Sequence, residues 1–317
     1  MPPATSPSAV EGDPPRVRNY YALPVLKPAH WKWEIVTYFW MGGIAAGAYV
    51  VAAVADLLGG EEDRATAKTG RLIAFPLLLL CPLLLIKDLG RPERFYNMLR
   101  IFKLRSPMSV GSWALFVFGG FTGLSALLEL APLRHRARAQ GVGRLLGLLG
   151  APVGLFVGGY TGVLISATAI PLWWRNRLLW GPVFVASAYS TGIAAIEAAL
   201  VLSGAGRPRA LRRLGSAHLF GLLVEAGLLL ASVRRLGKAG DPLVRGRWSS
   251  LFVPGTTGVG LALPILLSLR GGEPGRGMSA IRALCVLVGG FVLRTCIIYA
   301  GRDSADDPTV YLDAGSR

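Results

Sequence analysis

The chain has 317 residues, of which 52% are hydrophobic and only 16% are charged. Soluble domains of this size carry about a quarter charged residues, so the composition argues against a soluble protein and favours a membrane protein. The formal net charge is +16. Its basic residues lie between apolar runs, where they set topology and meet anionic lipid, so nucleic acid is not an expected partner.

The N-terminal segment, residues 1–31, is rich in proline and lacks the apolar core of a signal peptide. We interpret it as a flexible lead that ends in an interfacial segment. Eight apolar runs follow, each close to the length of about 20 residues that crosses a bilayer. The predicted spans are residues 33–58, 70–86, 108–131, 144–169, 182–203, 216–233, 250–269 and 278–300.

The predicted fold class is therefore an all-α integral membrane protein with eight transmembrane helices. An even number of spans places both termini on one side of the membrane, and the segment after the last span, 302–317, is polar. The face that holds the termini carries more Lys and Arg than the other, which favours a cytoplasmic position for it by the positive-inside rule.

Cysteine and histidine positions argue against redox centres in this protein. The three cysteines lie inside predicted spans without a CxxC pair: Cys81, Cys285 and Cys296. An iron–sulfur cluster needs four ligands. His30 is interfacial, His135 is in a loop, and His218 stands alone near a helix start, so no pair of axial haem ligands exists. We expect no haem, iron–sulfur cluster or metal here, so if the protein does redox chemistry, a partner must carry the electrons.

Small residues recur at helical spacing in two spans. Gly43 and Gly47 form one pair in the first span, and a longer series in the fourth consists of Gly150, Gly154, Gly158 and Gly162. This spacing predicts close helix packing. Tyr160 lies about 200° around the helix from Gly158. We expect it to point away from the packed side, toward a cavity or lipid, with a role as a packing aromatic as the alternative.

Several polar and aromatic groups are predicted to gather at the face that holds the N-terminus. They occur in “HWKWE” before the first span, “DLGRPE” after the second, “SPMS” before the third and “PLWW” after the fourth. Structural alternatives exist: Asp88 and Arg91 could pair across a turn shaped by Gly90, while Ser106 and Ser109 could cap the third span. An interfacial aromatic belt would account for Trp31, Trp33, Trp173 and Trp174.

Four motifs together resemble the NrfD/PsrC family of polysulfide-reductase-type membrane subunits. They are “HWKWEIVTYFWMGGIAAGAY”, “DLGRPERFYNML”, “SPMSVGSW” and “GGYTGVLISATAIPLWW”. The second half is similar to the family only in hydropathy and in “FVASAYSTG”. The resemblance implies two four-helix bundles, at residues 32–170 with the quinone site and at 171–301, without haem or metal.

The resemblance also implies a function. Such a subunit binds a quinone, menaquinone or ubiquinone, in the bacterial inner membrane, and it exchanges electrons with a ferredoxin-like four-cluster iron–sulfur subunit. A molybdopterin catalytic subunit usually completes the complex, so this protein would not be catalytic alone. Both termini would then be periplasmic, against the charge bias.

His30 and Tyr160 match the positions of the family's quinone contacts, and Asp88, Gly90 and Arg91 belong to the same expected site. Lys27 stands where the family has an asparagine, three residues before the histidine. Histidine can accept a proton near neutral pH, and a tyrosine hydroxyl can bond the other quinone oxygen.

Charged residues inside the second half are costly at membrane depth. Either one of the two glutamates, Glu197 or Glu225, pairs with Arg294 and locks this half, or these residues form a proton path. Asp56 and Glu129 could complete such a path or simply be interfacial. Two other functions are alternatives: a secondary transporter, although we find no internal repeat, and a non-redox membrane anchor, which the substitution by Lys27 would favour.

Overall fold

A computed structural model describes residues 29, 31–131, 137–270 and 275–306. His30 and Lys27, two residues of the predicted quinone site, lie outside the described residues. Helices account for nearly all of the described residues. The long helices are α1 (Trp33–Leu58), α2 (Arg64–Asp88), α3 (Pro107–Leu130), α4 (Ala137–Ser166), α5 (Trp180–Ser203), α6 (Pro208–Leu236), α7 (Ser249–Leu269) and α8 (Arg276–Asp306).

The predicted all-α fold with eight spans is confirmed, since all eight helices are long and apolar enough to cross a membrane. Several helices extend beyond the predicted spans. For example, α2 begins at Arg64 rather than at residue 70, after a short turn in which the Gly60 N–H donates to the Asp63 carboxylate. Hydropathy marks the part of a helix that lies in lipid, whereas backbone hydrogen bonding continues into the polar interface.

Two helices form the centre of the protein. α1 packs against α2, α4, α5 and α8, and α5 packs against α1, α4, α6 and α8. A Cβ on Gly47 would lie 1.8 Å from the Ala188 carbonyl oxygen, and one on Gly192 would lie 2.4 Å from the Ala48 nitrogen. The α1 and α5 backbones therefore touch directly. Because α1 contacts α5 about as extensively as it contacts α4, the division into two bundles stays a prediction.

The outer helices expose apolar side chains along their length. On α3, Leu127 is 63% exposed, and on α6 Phe220 is 66% exposed. Helix α7 is π-helical over Phe252–Ala262, where the backbone of Gly260 lies directly against that of Gly289 on α8. An apolar surface around a packed centre is what a lipid environment requires.

Candidate functional site

The start of α1 lies beside the end of α2 and the segment that follows α4. The Lys87 ammonium is 3.5 Å from the Glu34 carboxylate and 4.4 Å from the centre of the Trp33 ring. Trp31 stacks on Trp173, with ring centres 5.2 Å apart. The structure therefore brings three of the four sequence motifs to the same end of the protein.

Tyr160 connects the remaining motif, “SPMS” at the start of α3, to this end. Its hydroxyl donates a hydrogen bond to the carbonyl of Pro107, in the first turn of α3. A Cβ on Gly111 would come within 2.5 Å of the Tyr160 ring, so glycine leaves room for the ring. Tyr38 of α1 lies within electrostatic reach of Tyr160. Tyr160 is thus largely buried where α4 packs on α3.

An apolar groove of about 700 Å³ runs between α4, α5 and α6. Tyr160 forms part of its wall, together with Phe156, Tyr189 and Phe220. Phe156 and Phe220 are exposed, so the groove opens on the apolar outer surface, where lipid would lie. The structure combines both interpretations of Tyr160, because the ring packs on α3 while it also borders a cavity.

Two carboxylates lie near this end of α1. Glu34 is only 8% exposed, and its Oε2 has no hydrogen-bond partner among the described residues. Asp88, the last residue of α2, lies within electrostatic reach of Glu34 and Lys32. The sequence reasoning missed Glu34. The sequence feature that could have identified it is an acidic residue inside “HWKWE”, at the point where an apolar helix begins.

Gly90 and Arg91 lie in an exposed turn after α2. The groups near enough to influence the Asp88 carboxylate are Glu34 and Lys32, and the alternative Asp88–Arg91 ion pair does not form in the described part of the protein. Open space surrounds the Cβ position of Gly90, and its φ is not positive. Glycine is therefore not required at this position by backbone geometry.

The segment between α2 and α3, residues 89–106, is held against the start of α3. The Ser106 hydroxyl accepts a hydrogen bond from the Ser109 N–H at 3.4 Å. The Ser109 hydroxyl accepts one from the Lys103 N–H at 3.0 Å and donates one to the Ile101 carbonyl at 3.3 Å. The prediction of a serine cap on the third span is confirmed for Ser106, whereas the Ser109 side chain holds the preceding loop against the helix.

Residues 89–106 also form an exposed surface that is both apolar and basic. Its exposed apolar side chains are Phe95, Tyr96, Ile101, Phe102 and Leu104. Its exposed basic side chains are Arg91, Arg94, Arg100, Lys103 and Arg105. Exposed aromatic and arginine side chains on one surface are typical of protein–protein interfaces.

The tryptophans at this end divide into two environments. Trp33 and Trp174 are about half exposed, as an interfacial belt requires. Trp173 is fully buried, and its Nε1 donates to the Ile297 carbonyl at 2.9 Å. A Cβ on Gly301 would lie 2.1 Å from that nitrogen. The belt interpretation is wrong for Trp173, because it packs against α8 inside the protein.

The four glycines of α4 face different neighbours. A Cβ there would approach Tyr49 at Gly150, Phe118 at Gly154, Ala188 and Ala46 at Gly158, and the Trp180 backbone at Gly162. Residues four apart advance by about 40° around an α-helix, so this series turns through about 120° in all. On α1, Gly43 leaves room for Arg294, whose Nη2 would lie 2.6 Å from an added Cβ.

Glu197 of α5 belongs to a buried ionic cluster. Its carboxylate is 3.0 Å from the His218 Nδ1 on α6 and 2.9 Å from the Arg282 guanidinium on α8. His218 is fully buried, and the Glu197 carboxylate is its partner. Glu197 pairs with Arg282 rather than with Arg294, and sequence reasoning missed Arg282, which lies in the first two turns of α8.

Arg294 is fully buried on α8, and it bonds mainly to uncharged groups. It donates to the Phe39 carbonyl of α1 at 3.0 Å, to the Ser187 hydroxyl at 3.1 Å and to the Gly290 carbonyl at 2.8 Å. Glu225 lies within electrostatic reach of Arg294 and also faces Ser187. Arg294 thus connects α8 to both central helices.

An all-helical protein with eight apolar helices, and with aromatic and basic groups gathered at one end, is a multi-pass membrane protein. Its residues 25–303 match the family described as “Polysulphide reductase, NrfD”. The chain belongs to this family, as its four motifs indicated.

Curated relatives cover most of the sequence. It is 31% identical to the polysulfide reductase C subunit of Wolinella succinogenes, over 86% of this sequence and 94% of that protein. It is 28% identical to protein NrfD of Escherichia coli, over 86% of this sequence and 95% of that protein. Identity is 24% to an Hdr-like menaquinol oxidoreductase integral membrane subunit of Archaeoglobus fulgidus, over 72% of this sequence and 59% of that protein.

Proposed function

We propose that this protein is the quinone-reactive membrane subunit of a respiratory oxidoreductase complex. It would exchange electrons between the membrane quinone pool and an iron–sulfur partner subunit. The observation that carries the proposal is the position of Tyr160, on the wall of an apolar groove that opens on the lipid-facing surface. The names of two relatives, a polysulfide reductase subunit and a menaquinol oxidoreductase subunit, support it.

The groove suits a substrate with a long apolar tail. The tail would remain in the groove or in lipid while the head group reaches Tyr160. Because the Tyr160 hydroxyl donates its proton to the Pro107 carbonyl, its lone pairs are free to accept a hydrogen bond from a quinol O–H. We propose His30 for the second head-group contact, with Lys27, Asp88, Gly90 and Arg91 around it.

Quinol oxidation releases two protons with two electrons, so the site needs acceptors for protons. We propose that His30 accepts a proton and that Glu34 and Asp88 pass protons toward water. Glu34 has a buried carboxylate oxygen without a hydrogen-bond partner among the described residues, and Asp88 lies close to it at the end of α2. Both residues lie at the membrane face rather than at its centre.

The exposed surface of residues 89–106 is proposed as the docking surface for the iron–sulfur subunit. Its apolar and basic side chains would meet an acidic, partly apolar partner surface. This places the partner beside the proposed quinone site. A molybdopterin subunit would complete the complex in the bacterial inner membrane, with both termini of this protein on the periplasmic side.

In the second half of the protein, the cluster of Glu197, His218 and Arg282 is proposed to be a stabilising ionic cluster. Glu225 and Arg294 lie within electrostatic reach of each other, and these two residues could instead form part of a proton path. The two roles differ in their effect: loss of a stabilising pair lowers the amount of folded protein, while loss of a proton path leaves the fold intact and slows turnover.

The test of the proposed function uses the complex purified with this protein and its partner subunits. Addition of a soluble menaquinol analogue should reduce the partner's iron–sulfur clusters, which is measured by their visible absorbance. The same complex freed of this membrane subunit should show no quinol-driven reduction, although dithionite should still reduce its clusters. Equal quinol-driven reduction with and without the membrane subunit would refute the proposal.

A further inference from the structure

Arg71 of α2 connects three other helices at the end of the protein opposite the start of α1. Its guanidinium is 2.5 Å from the Asp56 carboxylate on α1 and 2.7 Å from the Glu129 carboxylate on α3. It also donates to the Gly143 carbonyl of α4 at 3.1 Å. The Arg71 side chain is only 7% exposed, and its Nε has no hydrogen-bond partner among the described residues. The cluster thus leaves one buried donor of Arg71 without a partner.

A cavity of about 240 Å³ lies beside this cluster, and Arg71 forms part of its wall. Four cationic side chains line the cavity: Arg64, Lys68, Arg71 and Arg144. The two carboxylates that line it, Asp56 and Glu129, both pair with Arg71. The side chains that line the cavity therefore carry a net charge of +2, of which Arg64 is paired with Glu61 at 2.9 Å. Within the described residues, neither Lys68 nor Arg144 forms an ion pair, so both are free to bind an anion.

The cavity lies near the start of α2, at one end of the bundle of apolar helices. Lys68 and Arg71 follow the start of α2 by four and seven residues, which is about 6 and 10 Å along the helix axis. Leu124 of α3 and Leu148 of α4 are exposed, and each lies one helical turn from a residue that lines the cavity, Leu128 or Arg144. A ligand bound here would have its charged part in the cavity and apolar surface beside it.

We propose that this cavity binds the phosphate group of an anionic phospholipid. Lys68 and Arg144 would contact the phosphate oxygens, as basic pockets between membrane helices do, and Arg144 offers the two-pronged geometry that suits a phosphate. The acyl chains would lie on the leucines of α3 and α4. A free phosphate ion has the same charge chemistry, but it would make no use of this apolar surface. This site is separate from the proposed quinone site and does not depend on it.

The experiment compares lipid binding by the full-length protein and by two double variants in a neutral detergent. In K68Q/R144Q the cavity loses two cations, while R207Q/R276Q removes two exposed cations from the same end of the protein, away from the cavity. Lys68 is partly exposed and Arg144 is exposed, so the fold should be unaffected. Binding of phosphatidylglycerol, and of phosphatidylcholine with the same acyl chains, is measured by native mass spectrometry and by the shift in thermal unfolding midpoint.

We expect phosphatidylglycerol to bind and to raise the unfolding midpoint of the wild type and of R207Q/R276Q. In K68Q/R144Q its apparent affinity should fall about tenfold or more, because each basic residue near anionic lipid contributes measurably to binding. Equal losses in both double variants would mean general surface attraction and would overturn the proposal. Equal binding of phosphatidylcholine would overturn it as well, and so would full stabilisation by inorganic phosphate alone.

Discussion

The Tyr160 hydroxyl has two tasks in the proposed site. Its proton bonds to the Pro107 carbonyl and holds α3 against α4, whereas its lone pairs remain for a substrate hydroxyl. One residue therefore couples helix packing to substrate contact. The buried charged residues of α5, α6 and α8 also depend on other helices. A charge at that depth is stabilised only when a neighbouring helix supplies its partner.

Tyr160→Phe removes one hydroxyl while the ring keeps its place against Gly111. Loss of one hydrogen bond to a desolvated substrate oxygen should cost about 1–3 kcal/mol, which is roughly a tenfold or greater loss of quinol turnover. His30→Ala should cost at least as much, since a proton acceptor is also lost. The measurement is quinol-dependent reduction of the partner's clusters, normalised to assembled complex.

Tyr189→Phe is the matched control, because Tyr189 borders the same groove on α5 and has no proposed contact with the head group. Its turnover should stay within about twofold of the wild type. Full turnover in both Tyr160→Phe and His30→Ala would place the quinone elsewhere. An equal loss of turnover in Tyr189→Phe would show that the loss in Tyr160→Phe comes from a change in the shape of the groove.

Arg282→Met should destabilise the fold because Glu197 then keeps only His218 as a partner at a fully buried position. Loss of one member of a buried ion pair costs about 3–5 kcal/mol. Arg209→Met is the control, because Arg209 pairs with Glu62 on the exposed surface, where a pair contributes about 0–1 kcal/mol. Unfolding in detergent is the measurement. Similar stability of the two variants would contradict a structural role for the buried cluster.

At the scale of helices, direct contact between α1 and α5 determines which surfaces remain for ligands. Gly47 and Gly192 let the two backbones touch, so the remaining helices pack around this pair. The groove beside Tyr160 lies where α6 meets α4 and α5 without filling the space between them. The cavity beside Arg71 lies among α1, α2, α3 and α4 at the other end.

Gly47→Ala should prevent this contact, because its Cβ would lie 1.8 Å from the Ala188 carbonyl oxygen. Overpacking of this kind costs about 1–3 kcal/mol or more, and we expect less folded protein in the membrane. Gly119→Ala on α3 is the control, since nothing lies within 4 Å of its Cβ position, and alanine is favoured over glycine in a helix by about 0.5–1 kcal/mol. Detergent-stable protein is quantified by fluorescence-detected size exclusion. Normal folding of Gly47→Ala would show that α1 and α5 can separate without loss.

At the scale of the whole molecule, the two ends of the protein differ in chemistry. The end with the start of α1 combines exposed aromatic and basic side chains with the proposed quinone site. The opposite end has the Arg71 cluster and its basic cavity. The proposed function requires a docking surface near the quinone site, and both are proposed at the end with the start of α1.

Charge reversal at the docking surface should weaken assembly with the iron–sulfur subunit. In R94E/R100E two exposed cations become anions, and we expect about a tenfold or greater loss of affinity that is larger at low salt. R207E/R276E makes the same change at the opposite end and should leave affinity unchanged. Binding is followed by co-purification and by titration of the separated subunits. Equal weakening in both variants would reflect net charge rather than a docking surface.

The sidedness of this surface can be measured with Lys103→Cys in a Cys285→Ser background, because Cys81 and Cys296 are buried. A maleimide that cannot cross the inner membrane should label residue 103 in intact cells, since we expect the docking surface to be periplasmic. Arg276→Cys, at the opposite end, should be labelled only after permeabilisation. The reverse pattern would place the docking surface in the cytoplasm, as the charge bias favours.

The sequence by itself determined the eight spans and the gathering of four motifs at one end. Long apolar runs report on the membrane directly, and an even alternation of spans decides which loops share a face. The capping of α3 by Ser106 was also readable, because its side chain bonds the backbone N–H three residues further along the chain. These features depend on neighbours in the sequence, so a linear pattern contains them.

Only the tertiary structure decided which distant side chains meet. Glu197 pairs with His218 and Arg282, Trp173 is buried against α8, and the α4 glycines face several different neighbours. Hydropathy says that a helix lies in lipid, but not how far it is rotated or which helix lies beside it. A rotation of 100° per residue moves a side chain from lipid to the packed centre within one position, so these contacts follow from helix packing rather than from any local pattern.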